Sequence, residues 1–132
     1  MYGKAEAIRM LLSHAKVPFE DKRLSRSDKT EFNSMKKSGE LPGGQVPVYI
    51  DENGRTMNQS GALLIYLAKK HGYYGKDEWA GYEDDWAIAN FNDIFVKEFY
   101  PLYFKDELTG DQINDAVERF SRWNKVVEVK LN

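Results

Sequence analysis

An α/β unit followed by the start of an all-helical unit is the fold class this sequence predicts. Three observations carry it. Up to about residue 72, stretches of helical periodicity alternate with short β-branched runs, in the order helix, strand, helix, hairpin, helix. From Asp77 onward the spacing becomes helical throughout and the composition aromatic. YGKD at 74–77 lies between the two, which divides the chain into 1–76 and 77–132.

The first helix is read from AEAIRMLLSHAK at 5–16. Ile8, Leu11, Leu12 and Ala15 recur at helical spacing, with Arg9 and Lys16 off that stripe. VPFEDKRL at 17–24 alternates weakly and predicts a short strand. Ser27-Asp28 can cap a second helix running through Phe32 and Met35 to Gly39. ELPGGQ at 40–45 has no period and predicts a loop. VPVYI (46–50), DENG (51–54) and RTMN (55–58) form a hairpin with a tight turn. Ser60 can cap the helix GALLIYLAKKH, which carries basic residues at its end and stops at Gly72.

In the second part, Trp79, Tyr82, Trp86, Phe91, Phe95, Phe99 and Tyr103 fall mostly three or four apart. This predicts a long helix with one aromatic face and a kink at Pro101. Asp111 can cap a last helix with Ile113, Val117, Phe120, Val127 and Leu131 near one stripe. These two helices offer each other few partners for their aromatic faces.

The net charge of −2 argues against a nucleic-acid-coating surface. The absence of cysteine removes thiolate metal sites and a cysteine nucleophile and fits a cytoplasmic protein. His14 and His71 have no metal-ligand partner at suitable spacing, so no metal is expected. No apolar run approaches the roughly 18 residues of a membrane span.

The candidate site residues are individually unremarkable. Val46-Pro47 reads locally as an ordinary trans proline at a strand start, since only about 5–6% of X–Pro bonds are cis. Gln59-Ser60 stands at a helix N-terminus, where free N–H groups favour a carboxylate. A plain serine cap is the more economical local reading. Lys4, Lys36 and Asp93 read as solvated charges.

Taken together, GKAEAIRMLL, VPFEDKRL and GGQVPVYIDENGRTMNQSGALLIYLAKKHGYYGKD resemble the N-terminal half of a cytosolic glutathione S-transferase. The wording is nearest the alpha, pi and sigma classes, and KKSGELPGGQVP is particularly similar to the alpha-class segment. The resemblance is strong over residues 3 to about 77 and weak over 78–131. It implies a thioredoxin-like first domain, then the start of an all-helical second domain. It also implies that Val46 pairs its backbone with the cysteinyl part of glutathione beside a cis Pro47. Gln59 and Ser60 would hold the γ-glutamyl group, and Gln45 and Lys36 would reach the glycyl carboxylate. Lys4 would lie near the sulfur, and Asp93 would reach the γ-glutamyl amine across a dimer. Glutathione would be the co-substrate and a small electrophile the other partner.

The chain departs from the pattern in three places, one of which is that the helices completing the electrophile pocket and the second domain would fall after Asn132. The family's catalytic tyrosine on the first strand would fall before Met1, so that strand is missing too and no catalytic residue is visible. Tyr2 stands too close to Gly3 to serve. This implies a longer protein, or a domain completed by a partner. The aromatic residue that the alpha and pi classes place before QVP is replaced by Leu41-Pro42-Gly43-Gly44, which implies a flatter dimer contact. Three functions follow: a transferase, a non-catalytic interaction module in a larger assembly, or a protein that binds glutathione without turnover.

Overall fold

The computed structural model describes residues 3–103, 105 and 107–131, the last two by backbone alone. It forms two compact units, Met1–Tyr74 and Gly75–Asn132.

In the first unit, α1 (Glu6–His14) and α3 (Ser60–His71) pack on each other. Ile8 and Leu12 of α1 meet Leu63 and Leu67 of α3 in the buried core. Each pair is four residues apart, so both side chains point from one face of their helix. Leu11, Val17, Tyr49, Met57 and Tyr66 close around that contact. Helix α2 (Thr30–Ser38) buries no residue fully; Lys29 holds its cap position, and Asp28 just before it accepts the N–H of Thr30 at 2.9 Å. It stops at Gly39, whose φ of 85° is left-handed.

The hairpin pairs β1 (Val48–Ile50) with β2 (Thr56–Asn58) in the register Val48–Asn58, Tyr49–Met57, Ile50–Thr56. Its turn is organised by Asp51, whose side chain is fully buried. One carboxylate oxygen accepts the N–H groups of Asn53 (3.0 Å) and Arg55 (2.8 Å). The other meets the Arg55 guanidinium at 2.6 Å. Lys70 of α3 holds the neighbouring Glu52 at 2.7 Å.

The strand expected over 17–24 is not formed. Among the described residues the only ladder is that of β1 with β2. A weak alternation cannot make a strand without a neighbour to take its backbone hydrogen bonds. Charge holds this segment instead: Asp21 bridges Arg9 at 2.9 Å and Arg23 at 2.6 Å.

Four carboxylates of this unit have pKa values below their ordinary range. The Arg23 and then Arg9 guanidinium groups lower Asp21, the Thr30 hydroxyl and N–H lower Asp28, and Lys70 lowers Glu52. Burial alone would push Asp51 up, but Arg55 and the N–H groups of Arg55 and Asn53 together bring it down. A lowered folded-state pKa means that the unfolded chain binds the proton more tightly. The stabilisation is therefore complete above the unfolded values near about 4 and is lost as pH falls through the folded ones. The melting temperature should stay level from about pH 7 to pH 5 and fall below about pH 4.5. A melting temperature unchanged down to about pH 3 would contradict these pairings.

In the second unit, Asp77 caps α4 (Glu78–Ile94) by accepting the N–H of Ala80 at 2.9 Å. Only glycine fits at 75, because a Cβ there would lie 2.3 Å from the Ala80 carbonyl carbon. The irregularity expected at Pro101 lies one turn earlier, as a π-helical turn over Phe95–Phe99 with Tyr100 N–H bonded to Phe95 O. Proline has no N–H for the usual bond, and its ring crowds the carbonyl four residues before it. Widening the preceding turn relieves both. Helix α5 (Tyr100–Tyr103) follows, then α6 (Gly110–Leu131).

Thr109, not Asp111, caps α6. Its hydroxyl accepts the Gln112 N–H (3.3 Å) while the Gln112 side chain accepts the Thr109 N–H (3.2 Å). The aromatic face is only partly buried. Phe99 meets Phe120 edge-to-face at 4.6 Å, whereas Trp79, Tyr82 and Phe91 are at least half exposed. Glu98 is buried against Arg119 at 2.6 Å, an ion pair without hydrogen-bond alignment.

Candidate functional site

The hairpin register builds the site. With Val48 opposite Asn58, the residues just before β1 lie beside those just after β2. Val46-Pro47 therefore flanks Gln59-Ser60. The Val46-Pro47 peptide is cis, as the resemblance implies and contrary to the local reading. The proline stands ahead of β1, where its missing N–H costs no ladder bond.

Leu41 is buried and anchors the preceding loop. Gly43 and Gly44 follow in left-handed conformations (φ 67° and 65°), two in succession that only glycine adopts readily. A Cβ at Gly44 would lie 2.6 Å from Cε of Lys36, so the Lys36 alkyl chain rests on that backbone.

At the other side, Ser60 is the first residue of α3 rather than its cap. The cap is Gln59, at φ 68° and ψ 96°, with no side-chain cap bond. A non-glycine residue in that region is strained by about 1–3 kcal/mol, and such outliers gather at ligand sites. The α3 ladder begins with Leu63 N–H to Gln59 O at 2.9 Å, so the N–H groups of the first turn have no helical acceptor.

Six of the eight residues singled out above, Lys4, Gln45, Val46, Pro47, Gln59 and Ser60, line one pocket. Its volume is about 40 Å³. Drug-sized cavities start at about 300 Å³, so this one has room for only a single functional group. Among the described residues of the lining Lys4 is the charged one, and the positive end of α3 lies beside it, a combination that favours an anion.

Two of the eight stand elsewhere. Lys36 borders the loop through Gly44. Asp93 lies on α4 in the second unit, paired with Lys97 at 2.6 Å. Tyr2 lies outside the described residues. One lining residue had not been singled out: Asn58, whose Nδ2 donates to Pro42 O at 3.0 Å. It directly precedes Gln59-Ser60, and the strand register alone would have placed it there.

Comparison with known proteins bears on this arrangement. Residues 1–69 match the family model "Glutathione S-transferase, N-terminal domain". "Glutathione S-transferase 2" of Caenorhabditis elegans is 33% identical over 135 aligned residues, covering 95% of this chain and 69% of that protein. A glutathione S-transferase of Anopheles gambiae is 32% identical, covering 81% of this chain and 50% of the relative. The chain thus spans between half and about two thirds of the length of these relatives. A solved C. elegans glutathione S-transferase superposes with a TM-score of 0.77 at 28% identity, over 97% of this chain and 62% of that one. The chain belongs to the glutathione S-transferase family, with a thioredoxin-like N-terminal domain of that family followed by a helical region.

Proposed function

We propose that the chain binds glutathione in this pocket and forms part of an enzyme that adds the glutathione thiolate to small electrophiles. The observation that carries the reading is the convergence of Lys4, Gln45, the cis Val46-Pro47 pair, Gln59 and Ser60 on one anion-favouring pocket. The γ-glutamyl carboxylate sits at the first turn of α3, held by its N–H groups, the Ser60 hydroxyl and the Gln59 amide. The exposed backbone of Val46 pairs with the cysteinyl unit, and Gln45 and Lys36 address the glycyl carboxylate. Lys4 lies toward the sulfur, where a cation favours the thiolate. A free thiol near pKa 8.5 is only a few per cent ionised at pH 7, so a cation beside the sulfur raises the reactive fraction. The reading includes residues 1–76 as the glutathione-binding domain and 77–132 as helical domain. It also includes a cytoplasmic setting and a homodimer or larger assembly in which Asp93 reaches the γ-glutamyl amine of a neighbouring site.

Titration calorimetry of the chain with reduced glutathione tests the binding, and incubation with glutathione and an activated aryl halide tests the transfer. Saturable binding with conjugate formation is the expected result. Binding without conjugation would reduce the role to glutathione recognition, and absence of binding would overturn the proposal.

A further inference from the structure

We infer that Asn58 is a positioning residue for the glycyl end of the bound tripeptide, acting through the loop at 41–45. This rests on the glutathione reading above, in which Gln45 serves the glycyl end and Gln59 and Ser60 the γ-glutamyl end.

The loop has few holds of its own. Leu41 buries its start, and Gly44 N–H closes a single turn on Leu41 O at 2.8 Å. Gly43 and Gly44 give it the freedom to take two left-handed conformations, and the same freedom makes it costly to order. From outside, the Lys36 alkyl chain packs on Gly44, and the directional hold is the Asn58 amide, which donates to Pro42 O at 3.0 Å. Asn58 is the last residue of β2, paired with Val48 across the ladder and joined directly to Gln59. One side chain therefore fastens the loop bearing Gln45 to the junction bearing Gln59 and Ser60. The strand does not require an asparagine there, since a β-branched or aromatic residue would suit β2 better. What such a residue lacks is the donor for Pro42 O.

The test uses Asn58→Ala and Asn58→Asp, the second keeping the side-chain shape without the donor. Amide hydrogen exchange is followed in both, together with affinity for glutathione and for γ-glutamylcysteine, which lacks the glycine. Exchange should quicken at 41–45 and stay unchanged in α1 and α3. Glutathione affinity should fall about three- to tenfold, as expected for one lost hydrogen bond, with γ-glutamylcysteine changed by less than about twofold. Unchanged exchange at 41–45 overturns the inference without reference to any ligand, and so does an equal loss for both ligands. A parent chain that binds neither ligand overturns the glutathione reading itself. A parent that binds glutathione, with variants that keep its preference over γ-glutamylcysteine, removes only the role of Asn58.

Discussion

Replacing Leu67 by alanine should cost the first unit about 2–5 kcal/mol, the range for removing a buried leucine from a core that cannot collapse onto the gap. Leu67 is 0% exposed and sits among Ile8, Leu12 and Leu63. That cluster joins α1 to α3 and is small, so there is little neighbouring bulk to move inward. Against a typical stability of about 5–15 kcal/mol, the loss takes a large share. It also reaches the site, because the α1–α3 contact holds the first turn of α3 where Ser60 meets the cis-proline pair. The three tryptophans, at 79, 86 and 123, all lie in the second unit, so their fluorescence would miss the effect. Far-UV circular dichroism in urea, with hydrogen exchange in α3, reads it directly. A fall in the midpoint at constant m-value is expected. Val129→Ala, at a position 80% exposed, should stay within about 0.5 kcal/mol and serves as the control. A Leu67→Ala variant no less stable than Val129→Ala would mean that the α1–α3 contact is not the core.

What was legible in the sequence had its cause close by in the chain. The stripes of α1 and α3 follow a 3.6-residue period that needs no partner to be seen, and DENG with flanking β-branched residues specifies a hairpin through its own turn chemistry. The start of α2 was visible near Ser27-Asp28 because such turns are local, although the cap position falls on Lys29 and Asp28 accepts the Thr30 N–H. The failures depend on distant residues. Residues 17–24 alternate like a strand, but a strand exists only with a neighbour beside it. The cap of α6 fell on Thr109 because its reciprocal partner Gln112 outcompetes a lone Asp111. The cis state of Val46-Pro47 is invisible to local statistics, and only the resemblance pointed to it. Asn58 escaped notice for the same kind of reason: its partner, Pro42 O, is across the loop.

Gln59 and Ser60 separate a structural role from a ligand role. If Ser60 were a helix cap, Ser60→Ala would cost about 1 kcal/mol of stability. In the structure it is the first helical residue, and neither side chain makes a hydrogen bond among the described residues. Ser60→Ala and Gln59→Ala should therefore each change stability by no more than about 0.5 kcal/mol. Their effect on glutathione should be much larger. A hydrogen bond to a charged group is worth about 1.5–3 kcal/mol, which is roughly 10- to 100-fold in affinity. The N–H groups of the first turn of α3 remain in both variants, so binding should weaken rather than vanish. Calorimetric titration beside thermal melts gives both numbers on the same samples. A loss of stability with unchanged affinity would make Ser60 a cap and move the γ-glutamyl group elsewhere. A loss of affinity at constant stability would mean that the first turn of α3 keeps these two side chains unpaired in the free protein because their partner is the ligand carboxylate.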